Sequence, residues 1–347
     1  CTMLGKNIKY YRLKNNMTKK ALADIIGVTP MAITNYENEK RQPNMETLKA
    51  LANALGIKVT DFLASGSRDL EFSHGKFRKG TKLGVINQEF VRESVEEYFS
   101  RFFWVVEMLG GTKILGETPE IHTLKWSEDY EEAAKRLREY LDVPIGGPIN
   151  NLVENLENKG ILVCFIEVDS QYFSGINGTV NGIPYIVINS NMSMARIRST
   201  IVHEVAHFAF EWPEGLTDKE EEDIATSISG AFLFPKEDAI RELGFRRTLV
   251  SKAMTLTCKE YGISMYMLVK RARLCNIIND SVEKTFYINA SRAGWRKAEP
   301  DWGYKKEEPE LFRQLVYRAV TESEISVQKG AELLKTTYNS VAEACFI

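Results

Sequence analysis

The chain contains the run His203-Glu204-Val205-Ala206-His207. On a helix, two histidines four residues apart stand one above the other, roughly 5–6 Å apart. Both imidazoles can then reach one tetrahedral Zn²⁺. Glu204, beside His203, can lean over the open fourth position and take a proton from a water there, the opening step of metal-assisted hydrolysis. The chain has only four His against 47 Asp and Glu in 347 residues, and chance placement of this pattern is below about one in a hundred. A catalytic site needs a third protein ligand, and no His follows near six residues after His207. The remaining donors are the carboxylates of Glu220-Glu221-Glu222-Asp223. Glu222 shares its helical stripe with the small residues Ala225 and Ser229, which would let its helix approach the His-bearing one. Glu221, on a stripe with Ala225, Ile228 and Phe232, is the runner-up. The other acids of the run read as a solvated helix start, where carboxylates favour the dipole. His74 and His122 lack such a context and read as surface residues.

A second constellation lies near the start. Residues 1–66 hold ten Lys and Arg against five Asp and Glu, so they carry +5, and the other 281 residues carry −7 to reach the net −2. A basic head on an acidic body points to a polyanion partner for the head alone. The helix expected over Thr29–Asn38 would present Thr29, Thr34, Asn35 and Asn38. Asn bonds adenine bidentately and Thr takes polar or methyl contacts, so this face suits base edges in duplex DNA. Lys19, Lys20, Lys40 and Arg41 flank it and suit phosphates.

The elements that must place these residues follow from periodicity and punctuation. The head reads as helices over Leu4–Asn15, Lys19–Ile26, Thr29–Asn38 and Met45–Leu55, closed by Val59–Leu63. Thr18 is the N-cap before the second helix, and Gly27 suits a left-handed stop between the second and third. Helical patterns follow over Asn87–Leu109, Tyr130–Leu141 and Ile149–Asn158. The period then becomes two: Ile161–Val168 is a strand, and Ile176–Val180 and Tyr185–Asn189 flank Asn181-Gly182 as a hairpin. That hairpin would offer an edge to which an extended peptide could add. Helices resume at Ser193–Phe210, Lys219–Leu233, Lys236–Leu243, Arg247–Tyr261 and Ser264–Leu274. After a loop from Trp295 come Glu310–Glu322 and Val327–Lys335. The longest apolar runs, Ile161–Ile166 and Ile183–Ile188, are six residues each, against about 20 for a membrane span. Five scattered cysteines, never as C-x-x-C, fit reduced thiols in a cytosolic protein and argue against a disulfide framework or a thiolate zinc site. Neither export nor a membrane is expected.

Residues 4–63 resemble the XRE/Cro-type helix-turn-helix family. The resemblance rests on MTKKALADIIGVTPMAITNYENEKRQPNMETLKALANALGIKVTDFL and on Leu22, Ala23, Gly27, Val28, Ile33, Tyr36, Glu37, Pro43, Leu48, Leu51, Ala52, Leu55, Gly56 and Leu63. It implies binding to a palindromic operator in double-stranded DNA as a homodimer. The second half resembles the ImmA/IrrE family of zinc peptidases through HEVAHFAF at 203–210, EDIATSISGAFLFP at 222–235 and EPELFRQLVYRAVTESEISVQKGAELL at 308–334. In that family the third zinc ligand stands thirteen residues before the helix-ending Pro, here Pro235, which implies Glu222. The resemblance also implies a protein substrate, a helix-turn-helix repressor or antitoxin-type partner. The expected fold class is α+β, predominantly helical: a five-helix helix-turn-helix domain and a zincin-like domain with a small β-sheet and the HExxH helix. The expected divisions are 1–66 for DNA binding, 67–86 as linker, 87–150 as a helical connection, 151–290 for the peptidase and 291–347 as a helical end. The expected function is a DNA-binding zinc endopeptidase cleaving a repressor or antitoxin-like protein. The alternative is a non-catalytic repressor or antitoxin whose zincin domain senses or binds.

Overall fold

The computed structural model describes residues 3–63, 70–75 and 82–346. It groups them into two compact units, the first comprising residues to 117 with 179–182 and 310 onward, the second comprising 118–178 with 183–309. The fold is mixed α+β and predominantly helical, with sixteen α-helices among the described residues.

The head holds α1 (Leu4–Lys14), α2 (Lys19–Ile26), α3 (Pro30–Glu37) and α4 (Met45–Leu55), then a 3₁₀ turn over Val59–Leu63. Each helix start after the first is written in the sequence. Thr18, Thr29 and Asn44 accept from the backbone N–H three residues on, at 3.0, 3.1 and 2.8 Å, satisfying amides that the helix cannot. Gly27 ends α2 with φ +73°, a conformation that glycine adopts without steric cost, and only Val28 separates it from the cap of α3. Ile8, Leu22, Ile33, Leu51, Leu55 and Phe62 fill the core. Phe62, not Leu63, is the closing core residue: Leu63 is 44% exposed. Glu37 is buried among these side chains and accepts from Arg12 Nε at 2.5 Å and Nη2 at 3.2 Å, so its charge is paired.

The expected linker begins among residues outside the description (64–69 and 76–81). Its described part contains β1 (Phe72–His74), and α5 (Val85–Met108) starts two residues earlier than expected. His74 is half-buried, with Nε2 3.4 Å from Glu96 Oε1, rather than on the open surface. Lys6 and Lys9 of α1 pair with Glu96 and Glu93 of α5.

In the second unit come β2 (Leu124–Lys125), α6 (Tyr130–Tyr140), α7 (Leu152–Asn158), β3 (Leu162–Ile166), β4 (Gly175–Val180) and β5 (Ile183–Asn189). β3 and β5 are parallel, Leu162 opposite Tyr185 through Ile166 opposite Asn189. All seven residues of β5 are buried, as expected of a strand covered on both faces. β4 joins β5 through Asn181 (φ +50°) and Gly182 (φ +79°), the mirror-image turn that suits strand twist. The outer side of β4 is not open along its whole length, because β1 lies there. In the first unit, Asn181 N–H donates to Glu71 O at 2.8 Å and Asn181 Oδ1 accepts from Glu71 N–H at 2.9 Å.

Next are α8 (Met194–Ala209), β6 (Phe210–Glu211), α9 (Asp218–Leu233) and α10 (Lys236–Leu243). The short parallel pairing of β2 with β6 and the αL turn at His122, whose Nδ1 lies 3.0 Å from Phe210 O, were not signalled in sequence. Two arginines fix the far end of α9. Arg138 of α6, fully buried, donates from Nε to Phe232 O at 2.8 Å and from Nη1 to Pro144 O at 2.7 Å. Burial pushes this guanidinium down to about 10, yet it remains a cation at neutral pH. Arg271 Nε donates to Phe234 O at 2.9 Å.

The helix expected over Arg247–Tyr261 is broken. A 3₁₀ turn, Lys252–Met254, precedes α11 (Thr255–Tyr261), and 244–251 are irregular. Arg247 N–H leaves the helical pattern to donate to Ile277 O at 2.7 Å, and Val250 and Thr248 have little intrinsic pull towards helix. The unit ends with α12 (Met265–Leu274) and α13 (Asp280–Arg292). The region expected as a separate end from 291 divides at 310. From there α14 (Leu311–Thr321), α15 (Val327–Leu334) and α16 (Tyr338–Cys345) belong to the first unit, where Lys335 lies 3.0 Å from Glu97 of α5. Cys164, Cys258 and Cys275 are buried and outside any disulfide. No helix among the described residues is long and apolar enough to cross a membrane.

Arg138→Met should lower the stability of the second unit by about 3 kcal/mol, because it orphans the carbonyls of Phe232 and Pro144 inside the protein. Urea unfolding followed by circular dichroism measures this. A change below about 0.5 kcal/mol would show that the end of α9 is held by other contacts.

Candidate functional site

α8 begins at Met194 after Ser193 and presents Ile197, Ile201, Val202 and Val205 to the core. This orientation places His203 and Glu204 at the buried margin of that face and His207 one turn on, half-buried. The start of α9 is fixed by a capping box. Thr217 Oγ1 accepts from Glu220 N–H at 3.3 Å, and Glu220 Oε2 accepts from Thr217 N–H at 2.8 Å. The hydroxyl and amide of Thr217 hold the Glu220 carboxyl below the usual carboxylate range. One acid of the run is thereby consumed by helix initiation. Midway along α9, Ser229 donates to Ser199 O of α8 at 2.9 Å. Ser229 and Ala225 are buried at the contact, so small side chains on this stripe do let the helices close.

The donor atoms then converge. His203 Nε2 lies 3.1 Å from His207 Nε2 and 3.1 Å from Glu222 Oε2, and His207 Nε2 lies 3.7 Å from Glu222 Oε1. Donors about 2.0–2.2 Å from one tetrahedral ion would lie roughly 3.3 Å apart. The three side chains therefore fit a single metal ion, and they are the group of potential ligands within 4.8 Å of one another among the described residues. Glu221 has a different place: its Oε1 lies 2.8 Å from His207 Nδ1, on the far side of the ring from the donor centre. Thr226, a turn beyond Glu222, puts Oγ1 3.3 Å from His203 Nδ1. With each Nε2 aimed at the centre, Nδ1–H is the donor to these oxygens, which fixes tautomer and ring orientation. Trp212 Nε1 donates to His207 O at 3.0 Å.

Glu204 turns to the other side. Its Oε2 accepts from Asn177 Nδ2 of β4 at 2.8 Å, while Oε1 makes no hydrogen bond among the described residues. Asn177 escaped the sequence reading because only folding brings β4 beside α8. Asn177 in a β-prone run carries no distinctive signal.

In the head, the structure places the other candidates around α3. Asn35 is half-buried at mid-helix, and its side-chain amide has no partner among the described residues. Thr29 is the N-cap and Asn38 the C-cap, both exposed. Thr34 Oγ1 donates to Pro30 O at 3.1 Å, so its hydroxyl can only accept further. Lys20, Lys40 and Arg41 are exposed and make no ion pair among the described residues. Lys19 differs: its Nζ lies 3.7 Å from the buried Glu37 Oε2. Sequence reasoning passed over Met31, 65% exposed in the first turn of α3.

A helix-turn-helix family model matches residues 8–62, and one described as the IrrE N-terminal-like domain matches residues 156–273. The chain belongs to the XRE-type helix-turn-helix family, and joins that domain to an ImmA/IrrE-like domain of a metallopeptidase family. It is similar to the SPbeta prophage-derived uncharacterized HTH-type transcriptional regulator YonR of Bacillus subtilis, 35% identical over 65 residues, which is 19% of this chain and 59% of that protein. The uncharacterized HTH-type transcriptional regulator MJ0272 of Methanocaldococcus jannaschii is 31% identical over 58 residues, 17% of this chain and 88% of that one. YqaE of Bacillus subtilis, likewise an uncharacterized HTH-type transcriptional regulator, is 26% identical over 103 residues, covering 27% and 88%. No solved structure matches the chain.

The geometry separates two acids that sequence left adjacent. Purified protein should carry about one zinc per chain by mass spectrometry, and His203→Ala or His207→Ala should empty it. Glu222→Ala should cost more affinity than Glu221→Ala, whose effect should stay within the 10–100-fold typical of an orienting partner. The reverse order would put Glu221 in the ligand set.

Proposed function

We propose that this protein is a DNA-binding, zinc-dependent endopeptidase that regulates transcription by cleaving a partner protein, a helix-turn-helix repressor or antitoxin-like chain. The carrying observation is the donor trio His203, His207 and Glu222 beside a carboxylate, Glu204, that is hydrogen-bonded on one oxygen only. The donor set, two imidazoles and a carboxylate, is one that Zn²⁺ favours. Zn²⁺ held there would polarise a peptide carbonyl and make water nucleophilic near neutral pH.

The chain's own residues do the rest. Glu204 accepts the proton of the attacking water at Oε1 and delivers it to the departing amide nitrogen. Asn177, donating to Oε2, keeps Oε1 turned towards that water, so it is a positioning residue. Glu221 and Thr226 hold the two imidazoles in the tautomer that leaves Nε2 for the metal. A substrate would enter as an extended segment along the Gly175–Gly178 part of β4, next to Asn177.

The head would bring this activity to an operator. Asn35 is the base reader, and Lys20, Lys40 and Arg41 hold phosphates, with the exposed Thr29 and Asn38 at the two ends of the reading helix. Lys19, already beside Glu37, serves chiefly to fix α2 against α3. Relatives similar to the head are named transcriptional regulators, which supports a role in transcription. Recognition of a palindrome by a homodimer completes the reading.

Two experiments test it. In full-length protein, Asn35→Ala should lose discrimination between specific and random duplexes. Replacing Lys20, Lys40 or Arg41 by Ala should weaken both alike and flatten the log-salt slope by about one each. Equal losses on both duplexes for Asn35→Ala remove it from base reading. In the second experiment, candidate partners are incubated with enzyme and analysed by mass spectrometry, with zinc and with chelator. Glu204→Gln should keep zinc and DNA binding but lose roughly 10²–10⁴-fold in rate. Asn177→Ala should lose about tenfold in kcat with KM little changed. If zinc-loaded wild type leaves every partner intact while Glu204→Gln still complements regulation in cells, the peptidase proposal falls and the non-catalytic regulator takes its place.

A further inference from the structure

The second unit contains a cavity of about 700 Å³ that belongs to none of the chemistry above. It lies where the helix expected over Arg247–Tyr261 is broken, between residues 248–255, α13 and the loop after it. This volume falls within the roughly 300–1,000 Å³ of small-molecule sites. Its lining is aromatic: Phe286 and Trp295 have centroids 6.2 Å apart, and Trp295 and Trp302 5.4 Å, both pairs edge-to-face. Trp302 Nε1 is committed to Glu299 Oε1 at 2.8 Å, which holds that ring in place.

The polar residues of the lining are Thr248, Ser251, Thr255, Ser281 and Thr285, with Asn289 and Lys252. Thr285 and Thr255 spend their hydroxyls on Ser281 O and Lys252 O, each at 2.7 Å. Asn289 and Lys252 line the cavity and make no side-chain hydrogen bond or ion pair among the described residues. No carboxylate is among the lining residues. A chamber lined by aromatic rings, five hydroxyl residues and one amide, whose single charged side chain is the cation Lys252, is complementary to an aromatic guest with one negative charge. We propose that this cavity binds a flat aromatic molecule bearing one anionic group, the rings against Phe286, Trp295 and Trp302 and the anion at Lys252. The proposal is independent of the peptidase reading and stands or falls by itself.

Two probes that differ by one charge test it on the full chain: 1-anilinonaphthalene-8-sulfonate and its neutral parent N-phenyl-1-naphthylamine. The sulfonate should bind saturably at one site per chain, with energy transfer from tryptophan. Lys252→Ala should weaken the sulfonate about fivefold, the scale of an exposed ion pair, and leave the neutral probe unchanged. Ala293→Trp places a large ring in the cavity from the exposed C-cap of α13. It should abolish binding of both probes while far-ultraviolet circular dichroism stays that of wild type. Absence of saturable binding, or binding indifferent to Ala293→Trp, overturns the site. Equal affinity for the two probes with no response to Lys252→Ala overturns the anionic guest. Self-association abolished by Ala293→Trp, with no probe bound, shows a second copy of the chain as occupant instead.

Discussion

The donor trio exists because α9 is held at one rotation and one height against α8. A helix turned by a single residue swings its side chains through about 100°, which would exchange Glu222 for Glu221 at the donor centre. Three contacts prevent that. Ser229 bonds the backbone of α8 at Ser199, and small buried residues around it admit close approach. At the carboxyl end, guanidinia from Arg138 and Arg271 take the carbonyls of Phe232 and Phe234. The last four carbonyls of a helix lack intrahelical partners, and cations are favoured at that end. The arginines therefore serve as cap and clamp together.

Around that frame, the two imidazoles and Glu204 each have a partner behind them. Glu221 and Thr226 lie on the outer nitrogens of the two imidazoles, and Asn177 lies on the outer oxygen of Glu204. Three elements, α8, α9 and β4, contribute to an arrangement that occupies a few ångströms. The acids of the α9 start consequently divide into distinct jobs. Glu220 initiates the helix, Glu221 orients an imidazole and Glu222 faces the donor centre. The same economy governs the head, where Thr29 caps α3 and buried Glu37 joins α1 to α3 through Arg12.

Much of this was legible from residues alone. The starts of α2, α3, α4 and α9 follow from Thr or Asn at the N-cap and the stops of α2 and α4 from Gly27 and Gly56, because local hydrogen bonding decides where a helix starts and stops. The His pair shares a helix face by spacing alone. Where distant contacts decide, sequence signals fail. The chain at 244–251 leaves the helical pattern because Arg247 N–H reaches Ile277 O. The two-residue pairing of β2 with β6 is too short to leave a pattern. The core of the head closes on Phe62 rather than its neighbour Leu63 because a 3₁₀ turn changes which of two adjacent apolar residues faces inward.

The sequence by itself determined the two chemistries, a basic helix-turn-helix head and a His-Glu-x-x-His helix, since residue type, charge and periodicity are local properties of the chain. Only the tertiary structure set Glu222, which the sequence favoured over Glu221, beside both Nε2 atoms, brought Asn177 to Glu204 and assigned 310–346 to the same unit as the head. These depend on the packing of segments far apart in the chain, and a helix stripe shows which residues share a face but not what that face will meet.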